Sequence, residues 1–478
     1  MLFNSLDFAL FLPIVFILYW FAIKNNFKLQ NILLLFASYF FYACWDYRFL
    51  FLLMFSTLLD YFSGIKIFEA ENKKKRTFWL WLSIGINLGF LGYFKYYNFF
   101  ISSFAQGFAA LGIKINISTL QIILPVGISF YTFHGLSYVI DIYKKRIAPE
   151  NNFINYAVFV SFFPLLIAGP IERATNLLPQ IIKKREFDSS KAVDGLRQIL
   201  WGLFKKIVIA DNCAIYADAV FNNYNDYSGI TLFWGGLFFT FQIYCDFSGY
   251  TDIAIGTARL FGINLLRNFS FPYFSRSIAE FWRRWNISLS TWFRDYLYIP
   301  LGGSKGGVWM KTRNIFIIFL VSGFWHGANW TFIAWGLINA IYILPSVLFK
   351  TNRDNLNIVA QGRYLPNLKE LLSIAITFSL TVFAWIFFRS ENIEHAMGFI
   401  SKLFSFSEIS KPFSVPLAMV LLMAGFIIVE WQGREQQYAI ADVGSKWPKI
   451  IRWTMYYVLA IAIFYFSTSG KPFIYFQF

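Results

Sequence analysis

Long apolar stretches, separated by short polar or basic segments, follow one another along the chain. A helix needs about 20 apolar residues to cross the hydrocarbon core of a bilayer, and the first such stretch runs from Leu6 to Ile23. The next block, Asn31 to Ile65, is too long for one crossing and predicts a helical hairpin or a broken helix, with the turn at Asp46 to Arg48. Further apolar stretches lie at 78–100, 120–140, 198–221, 230–262, 314–348, 371–388, 414–431 and 450–468. The pattern predicts an all-α, polytopic membrane protein with about eleven transmembrane helices, because the apolar runs do not alternate at period two as in a β-barrel.

One apolar stretch is too short for a clean crossing. Phe153 to Ala168 has 16 residues, contains Pro164 and lies between the basic groups at 144–146 and 183–185. Basic flanks are typical of the cytoplasmic side of a membrane. The stretch therefore predicts a re-entrant pair of half-helices that enters and leaves on one side.

The positions of the lysines predict the orientation. Lys24 and Lys28 follow the first apolar stretch, and a basic run at 73–76 follows the hairpin block. Both groups are expected in the cytoplasm, which predicts that the N-terminus lies on the extracytoplasmic side of the membrane. The first stretch has no positive region before it and no small-residue cleavage site after it, so it is expected to stay in the protein as a span.

The composition excludes an ordinary soluble protein. Of 478 residues, 57% are hydrophobic and 14% charged, against about 25% charged in a typical soluble domain. The net charge of +16 is explained by the positive-inside bias and by anionic lipids, so no nucleic-acid partner is expected. The three cysteines lack metal-site spacing, and no metal is predicted. We expect a single membrane-embedded domain over residues 1–478.

The segment 276–300 does not have the character of a span. Four arginines within 276–294 exclude a central crossing, because each is costly at the bilayer midplane. Its aromatic and aliphatic residues recur at three- and four-residue steps, which predicts one amphipathic helix. Asn286 lies on the buried stripe of that helix, beside Trp282 and Trp285. Spacing alone leaves open whether this asparagine binds a substrate or only satisfies a neighbouring helix.

A glycine-rich loop, LGGSKGGVWMKTR, follows that segment. It does not match the phosphate-binding loop pattern, because Lys305 is followed by glycine. One interpretation is a cytoplasmic turn whose basic residues belong to the positive-inside signal. The other is a basic rim, with Lys305 and Arg313, for the phosphates of a nucleotide-like donor such as coenzyme A.

Two of the three histidines lie inside apolar stretches. Ionisable groups in spans are functional candidates by default. Ser322 precedes His326 by four residues and Asn329 follows it by three, so the three are expected to form a polar stripe on one helix face. Trp325 adds bulk beside the stripe. A neutral imidazole there can act as a general base on a hydroxyl, or it can be a structural histidine that hydrogen-bonds between helices.

The other ionisable groups have less specific surroundings. His134 is expected to be structural and His395 to face solvent. Asp211, Asp246 and Asp252 fit a metal site or an ion path, or else they cap helices or neutralise the arginines of 276–294.

Several of these segments together resemble the membrane-bound O-acyltransferase family, in its bacterial alginate O-acetylation branch. The resemblance rests on GISFYTFHGLSYVIDIYK (127–144), LIAGPIER (166–173), FQIYCDFSGYTDIAIG (241–256), FWRRWNISLSTWFRDYLYIPLGG (281–303), GFWHGANWTFIAWG (323–336) and the terminal PFIYFQF. These motifs are distributed over nearly the whole chain.

The resemblance implies roles for the candidate residues. His326 matches the family's membrane-embedded catalytic histidine, inside a helical fold that surrounds a central tunnel with the thioester donor entering from the cytoplasm. Asn286 stands where the alginate branch usually has histidine. An amide cannot take a proton, so the resemblance implies that His326 is the sole base and Asn286 a positioning residue. His134 stands where relatives are expected to have glutamine, and its role stays open.

The resemblance also implies a reaction. We expect a multi-pass O-acyltransferase that passes an acetyl group from acetyl-CoA, as a substrate and with no bound cofactor, towards an extracytoplasmic polysaccharide. A periplasmic or membrane-tethered partner acyltransferase is expected to complete the transfer. The substrate-contacting residues are expected to be Trp282, Trp285, Ser322, Trp325 and Asn329, with Lys305 and Arg313 on the donor phosphates. Two alternatives remain: a D-alanyl or lipid acyltransferase that uses a carrier-protein donor, and a transporter or scaffold of a polysaccharide export complex without chemistry of its own.

Overall fold

The computed structural model describes residues 1–24, 26–113, 115, 119–167, 169–405, 415–444, 447–467 and 473–474. Over these residues every regular element is a helix, which confirms the predicted all-α class. The chain forms two compact units, Met1–Asp188 with Ala258–Leu265, and Ser189–Thr257 with Leu266–Phe478. The single domain stays a prediction.

The α-helices described in the first unit are short to medium in length. They are α1 (Leu6–Ile17), α2 (Phe27–Ala43), α3 (Tyr47–Glu69), α4 (Lys73–Leu91), α5 (Tyr97–Ala110), α6 (Ile128–Tyr143), α7 (Phe153–Ser161) and α8 (Ala174–Ile182). Two π-helical turns extend or join them, Leu18–Ala22 after α1 and Gly92–Tyr96 between α4 and α5.

The second unit begins with α9 and contains the candidate site residues except His134. Its described α-helices are α9 (Ser189–Leu203), α10 (Asp211–Asn222), α11 (Gly229–Leu260, which ends in the first unit), α12 (Ile278–Arg284), α13 (Ile287–Phe293), α14 (Gly307–His326), α15 (Trp330–Leu348), α16 (Leu368–Arg389), α17 (Ile393–Leu403), α18 (Leu417–Gln432) and α19 (Lys449–Tyr465). Further π-helical turns are Phe204–Ala210 and Arg294–Tyr298.

Five described helices are long and apolar enough to cross a membrane. They are Tyr47–Glu69, Lys73–Ala110, Gly229–Leu260, Trp330–Leu348 and Leu368–Arg389, and two shorter apolar helices are Leu6–Ala22 and Leu417–Gln432. They support a multi-pass membrane protein, and the larger number of about eleven crossings stays a prediction.

The predicted break within the apolar block Asn31 to Ile65 is confirmed. Helix α2 ends at Ala43 and α3 begins at Tyr47. The carboxylate of Asp46 accepts a hydrogen bond from the backbone N–H of Arg48 at 2.9 Å, so Asp46 caps α3. The break therefore lies at residues 44–46, slightly before the predicted turn.

Two predicted boundaries in the first unit were wrong. The stretch 120–140 is helical only from Ile128, because Gly127 before it has a left-handed backbone with φ of 73°. A Cβ atom on Gly127 would lie 2.1 Å from the carbonyl oxygen of Leu166, so only glycine fits. The predicted span 78–100 is part of a longer continuous helix, Lys73–Ala110.

The predicted pair of half-helices is also wrong in its second half. Helix α7 ends at Ser161, and residues 163–167 form turns, with Pro164 among them. Proline lacks the N–H that a continuing helix requires. Ala168, the end of the predicted pair, lies outside the described residues.

The arginines of 276–294 form hydrogen bonds with polar groups of the protein. This agrees with the prediction that this segment is not a membrane span. Glu280 accepts hydrogen bonds from Arg276 and Arg284. The guanidinium of Arg283 donates to the carbonyl oxygens of Asn352 and Asn355 at 2.6 and 2.7 Å. Burial lowers the pKa of Arg283, and the neighbouring carboxylate of Glu280 acts in the opposite direction.

Asp211, Asp246 and Asp252 pair with lysines, which corrects the predicted pairing with the arginines. Nζ of Lys206 lies 2.8 Å from Asp211 and 2.7 Å from Asp246. Lys205 binds Asp252 at 2.6 Å. Both lysines belong to the π-helical turn Phe204–Ala210, which points two consecutive residues into the core. Within the described ranges no group of three or more acidic, histidine or cysteine side chains is placed to hold a metal.

Part of the terminal PFIYFQF motif packs against α11. The backbone N–H of Ile474 donates to Asp246 at 2.7 Å, and the ring of Phe473 lies 4.4 Å from that of Tyr250. Both residues are buried. The other residues of the motif lie outside the described residues.

Candidate active site

His326 lies at the tip of a tight helical hairpin. It is the last residue of α14, because Gly327 is extended, with φ of −165° and ψ of 154°. The backbones of α14 and α15 touch below it: a Cβ on Gly323 would lie 2.2 Å from the carbonyl oxygen of Phe332. Glycine at this position is therefore a packing requirement, and it holds the end of α14 in place.

The imidazole of His326 is enclosed by three aromatic rings. The ring centroids of Trp325, Trp335 and Phe388 lie 4.9, 5.2 and 5.3 Å from that of His326, all in edge-to-face geometry. His326 is only 4% exposed. An imidazole shielded from water in this way acts on a hydroxyl or a thioester without competition from bulk solvent.

The predicted polar stripe is wrong at its last residue. Ser322, one turn before His326 on α14, is buried. Asn329 lies beyond the end of that helix and caps α15, since its side chain accepts a hydrogen bond from the N–H of Thr331 at 3.0 Å. Its amide also donates to the carbonyl oxygen of Glu391 at 2.6 Å. The helical periodicity placed Asn329 on the wrong element, because the extended backbone after His326 ends the helix.

Asn286 is also placed differently from the prediction. The amphipathic helix is interrupted between α12 and α13, and Asn286 has a left-handed backbone with φ of 42° and ψ of 57°. The segment 268–270 pairs with the interruption: Ile287 N–H donates to the carbonyl oxygen of Asn268 at 2.9 Å, and Ser270 N–H donates to that of Arg284 at 3.0 Å. These backbone bonds replace those of a continuous helix. Asn286 is nevertheless buried, at 3% exposure.

A continuous row of tryptophans connects Trp285, the residue before Asn286, with His326. Trp285, the neighbour of Asn286, has its ring 5.1 Å from that of Trp385. Trp385 stacks on Trp335 at 5.6 Å with an interplanar angle of 16°, and Trp335 contacts His326. Trp285, next to Asn286 in the sequence, therefore belongs to the same aromatic cluster as His326.

Trp282 contacts the same cluster and carries an unsatisfied donor. Its ring lies 5.6 Å from that of Trp335 and 5.2 Å from that of Phe319. Its Nε1 is buried and has no hydrogen-bond acceptor among the residues that the structure describes. An indole nitrogen can only donate, and a buried donor without an acceptor is destabilising. A ligand oxygen is a natural partner for such a group.

Lys305 and Arg313 lie apart from this cluster, on the loop before α14 and in its first turns. Lys305 is exposed. The guanidinium of Arg313 donates to the carbonyl oxygen of Leu301 at 3.2 Å and to Asn314 at 2.9 Å. Arg313 thus stabilises the loop, and its contact with a donor phosphate stays a prediction.

Sequence reasoning missed part of the cluster. Trp385 and Phe388 are about 60 positions from His326, and no local spacing indicates their contact. Trp335 lies within the same motif as His326, and its position in an apolar helix was the only available signal. Asn268 was missed because its role depends on pairing between separate segments.

His134 has the bonding of a structural histidine. It is buried in α6, and its Nε2 accepts a hydrogen bond from the backbone N–H of Glu172 at 3.0 Å. This hydrogen bond supports the interpretation that His134 is structural. His395 is half-buried and stacks on Tyr224 at 4.9 Å, so it does not simply face solvent.

Comparison with known proteins gives the family. The profile of the membrane-bound O-acyltransferase family matches residues 145–387. A protein of Pseudomonas putida named "Probable alginate O-acetylase AlgI" is 37% identical over the full length of both chains. A peptidoglycan O-acetyltransferase of Helicobacter pylori is 36% identical, covering 86% of this chain and 81% of its own.

A more distant relative has a different acyl group. The teichoic acid D-alanyltransferase of Bacillus subtilis is 28% identical over 56% of this chain and 70% of its own. The chain belongs to the membrane-bound O-acyltransferase family and is a multi-pass membrane acyltransferase.

Proposed function

We propose that the protein transfers an acetyl group from acetyl-CoA towards hydroxyl groups of an extracytoplasmic polysaccharide. The observation that carries this proposal is the burial of His326 among aromatic rings at the tip of the α14–α15 hairpin. The similarity to an alginate O-acetylase and a peptidoglycan O-acetyltransferase supports both the acetyl group and the polysaccharide acceptor. The reaction needs no bound cofactor or metal in this scheme.

The side chains have distinct roles in the transfer. His326 takes the proton of the acceptor hydroxyl as its oxygen attacks the thioester carbonyl carbon. A carbon–oxygen bond forms, and the carbonyl electron pair moves to oxygen. The indole N–H of Trp282 donates to this oxyanion, and the amide of Asn286 orients the reacting groups. The carbonyl then re-forms, the carbon–sulfur bond breaks, and His326 returns the proton to the departing thiolate.

The other predicted residues surround this centre. Trp285, Trp325 and Ser322 contact the substrates, while Asn329 keeps the loop after His326 in position through its bond to Glu391. Lys305 and Arg313 bind donor phosphates at the basic side of the membrane. We place the protein in the inner membrane with an extracytoplasmic N-terminus, and a periplasmic or membrane-tethered acyltransferase as its partner.

A comparison of donors tests the proposal. Membranes that contain the protein are incubated with the host polysaccharide and either radiolabelled acetyl-CoA or a radiolabelled D-alanyl carrier protein, and alkali-labile ester is measured. We expect label from acetyl-CoA only. Label from the D-alanyl carrier only would instead identify the protein as a D-alanyltransferase with a carrier-protein donor. The similarity to a teichoic acid D-alanyltransferase is the observation that favours this second candidate function. Transfer from neither donor would contradict the proposal.

Two substitutions of Asn286 separate its backbone from its amide. Because the residue has a left-handed backbone, Asn286→Gly is expected to keep the fold, whereas Asn286→Ala loses about 1 kcal/mol of stability relative to it. Both variants lack the amide, so both are expected to lose acyl transfer. Thermal unfolding in detergent and the rate of ester formation are measured together. Full activity of Asn286→Gly would remove the amide from the mechanism.

A further inference from the structure

A cavity in the second unit, called the chamber below, opens between α16 and α18, and His326 is not among its lining residues. Its volume is about 180 Å³. Phe241 and Tyr244 of α11 and Phe426 of α18 form its floor, and all three are at most 5% exposed. The rings of Phe241 and Phe426 meet edge to face at 6.3 Å. The floor is thus aromatic and apolar.

The polar groups of this chamber are already paired. The Tyr244 hydroxyl donates to Glu430 at 2.6 Å, and both residues line the chamber. With its polar atoms satisfied internally, the chamber offers little to water, and an apolar cavity of this kind takes up hydrocarbon instead. Its volume is below the roughly 300–1,000 Å³ of pockets for whole small molecules. This volume suits a segment of a hydrocarbon chain.

The mouth of the chamber lies on a lipid-facing surface. Ile374 of α16 and Ile427 of α18 are at its rim, and Ile427 is 40% exposed. Their neighbours Ile376 and Ile428 are 62% and 57% exposed. Helix α16 is long and apolar enough to cross a membrane. The hydrocarbon that reaches this mouth is therefore the acyl chain of a bilayer lipid.

The mouth is close to the headgroup level. Trp431, one turn after Ile427, donates its indole N–H to the carbonyl oxygen of Tyr364 at 2.7 Å, and Tyr364 is 95% exposed. Tryptophan and tyrosine are enriched where a membrane meets water. Lys369 precedes Ile374 by five residues, about 7.5 Å along the helix.

The charges at this end favour an anionic headgroup. Four arginines and three glutamates form one linked group there, in which Glu370 contacts both Arg276 and Arg363. The members are Arg276, Arg284, Arg363 and Arg434, with Glu280, Glu370 and Glu435. Lys369, the residue before Glu370, adds a fifth cation. Basic residues at the membrane surface attract anionic lipids. Lys369 is exposed and available to a phosphate.

We propose that this chamber binds one acyl chain of an anionic phospholipid, whose headgroup lies over the basic ends of α16 and α18. The chain fills the space between the aromatic floor and the rim isoleucines. Tyr244 and Tyr273, which line the chamber, lie 6.0 and 5.9 Å from Trp285. A bound chain therefore supports the wall of the tryptophan cluster next to Asn286.

The test measures lipid retention by native mass spectrometry. Delipidated full-length protein is mixed with phosphatidylglycerol that carries long acyl chains, and rim variants Ile427→Trp and Ile374→Trp are compared with lipid-facing controls Ile428→Trp and Ile376→Trp. A tryptophan at the rim that excludes two methylene groups of the acyl chain from the chamber is expected to weaken lipid binding about tenfold. We expect that loss in both rim variants and wild-type retention in both controls. Equal retention by all four variants would overturn the proposal.

Two further lipids test the chain and the headgroup separately. Dihexanoyl phosphatidylglycerol has the same headgroup with short chains, and we expect it to bind much more weakly than the long-chain lipid. Long-chain phosphatidylcholine is expected to bind less than phosphatidylglycerol, and Lys369→Glu to remove that preference. Equal binding of the short-chain lipid would overturn the assignment of the chamber to the acyl chain. Equal binding of phosphatidylcholine and phosphatidylglycerol would overturn the proposed preference for an anionic headgroup.

Discussion

Replacing His326 with alanine is expected to lower the rate of acyl transfer by about 10²–10⁴-fold. In the proposed mechanism this imidazole takes the proton from the acceptor and returns it to the thiolate, and the neighbouring aromatic rings cannot replace it. The measurement is the rate of ester formation from labelled acetyl-CoA in membranes, normalised to the amount of folded protein.

The matched control is His395→Ala. His395 lies at the start of α17 and stacks on Tyr224 instead of contacting the tryptophan cluster. Acyl transfer by this variant is expected to match that of the wild type. His326→Gln adds a test of volume, because glutamine partly fills the site but is no base. Activity of His326→Gln near the wild-type level would show that the histidine is structural.

The second large effect is expected for Lys206→Met, on stability instead of chemistry. Lys206 is 1% exposed and bridges Asp211 and Asp246. Methionine occupies similar space without the charge, so two buried carboxylates lose their cation. Removing one partner of a buried ion pair costs about 3–5 kcal/mol. Thermal unfolding of the purified protein in detergent is expected to show this loss.

A surface pair provides the comparison for Lys206→Met. Lys66 binds Glu69 at 2.9 Å, and both side chains are about half exposed. Lys66→Met is expected to change the free energy of unfolding by less than about 1 kcal/mol. If Lys206→Met were as mild, the buried lysine would not stabilise the contact between α10, α11 and the π-helical turn Phe204–Ala210.

The break between α2 and α3 shows what local patterns predict well. The break at residues 44–46 follows from the length of an apolar block and from a capping aspartate, both of which are properties of neighbouring residues. The arginines of 276–294 were excluded from a crossing by their charge alone. His326 was selected because an ionisable side chain stood in an apolar stretch.

The errors share a physical cause. Asn286 fell on the buried stripe of a predicted helix, yet pairing with residues 268–270 interrupts that helix and gives Asn286 a left-handed backbone. Asn329 fell on the face of His326 by spacing, yet it caps the following helix. In both cases hydrogen bonds to another segment, or a change of backbone direction, override the helical period.

By itself the sequence determined that this is a helical membrane protein, that the segment around Asn286 is too rich in arginine to be an ordinary span, and that His326 is its principal chemical candidate. These properties depend on hydrophobicity and charge, which act at the scale of one helix. Only the tertiary structure decided that Trp385 and Phe388 enclose the site with His326, and that Lys205 and Lys206 neutralise the aspartates of α10 and α11. Contacts between residues far apart in the chain depend on how helices pack, and local periodicity does not encode that packing.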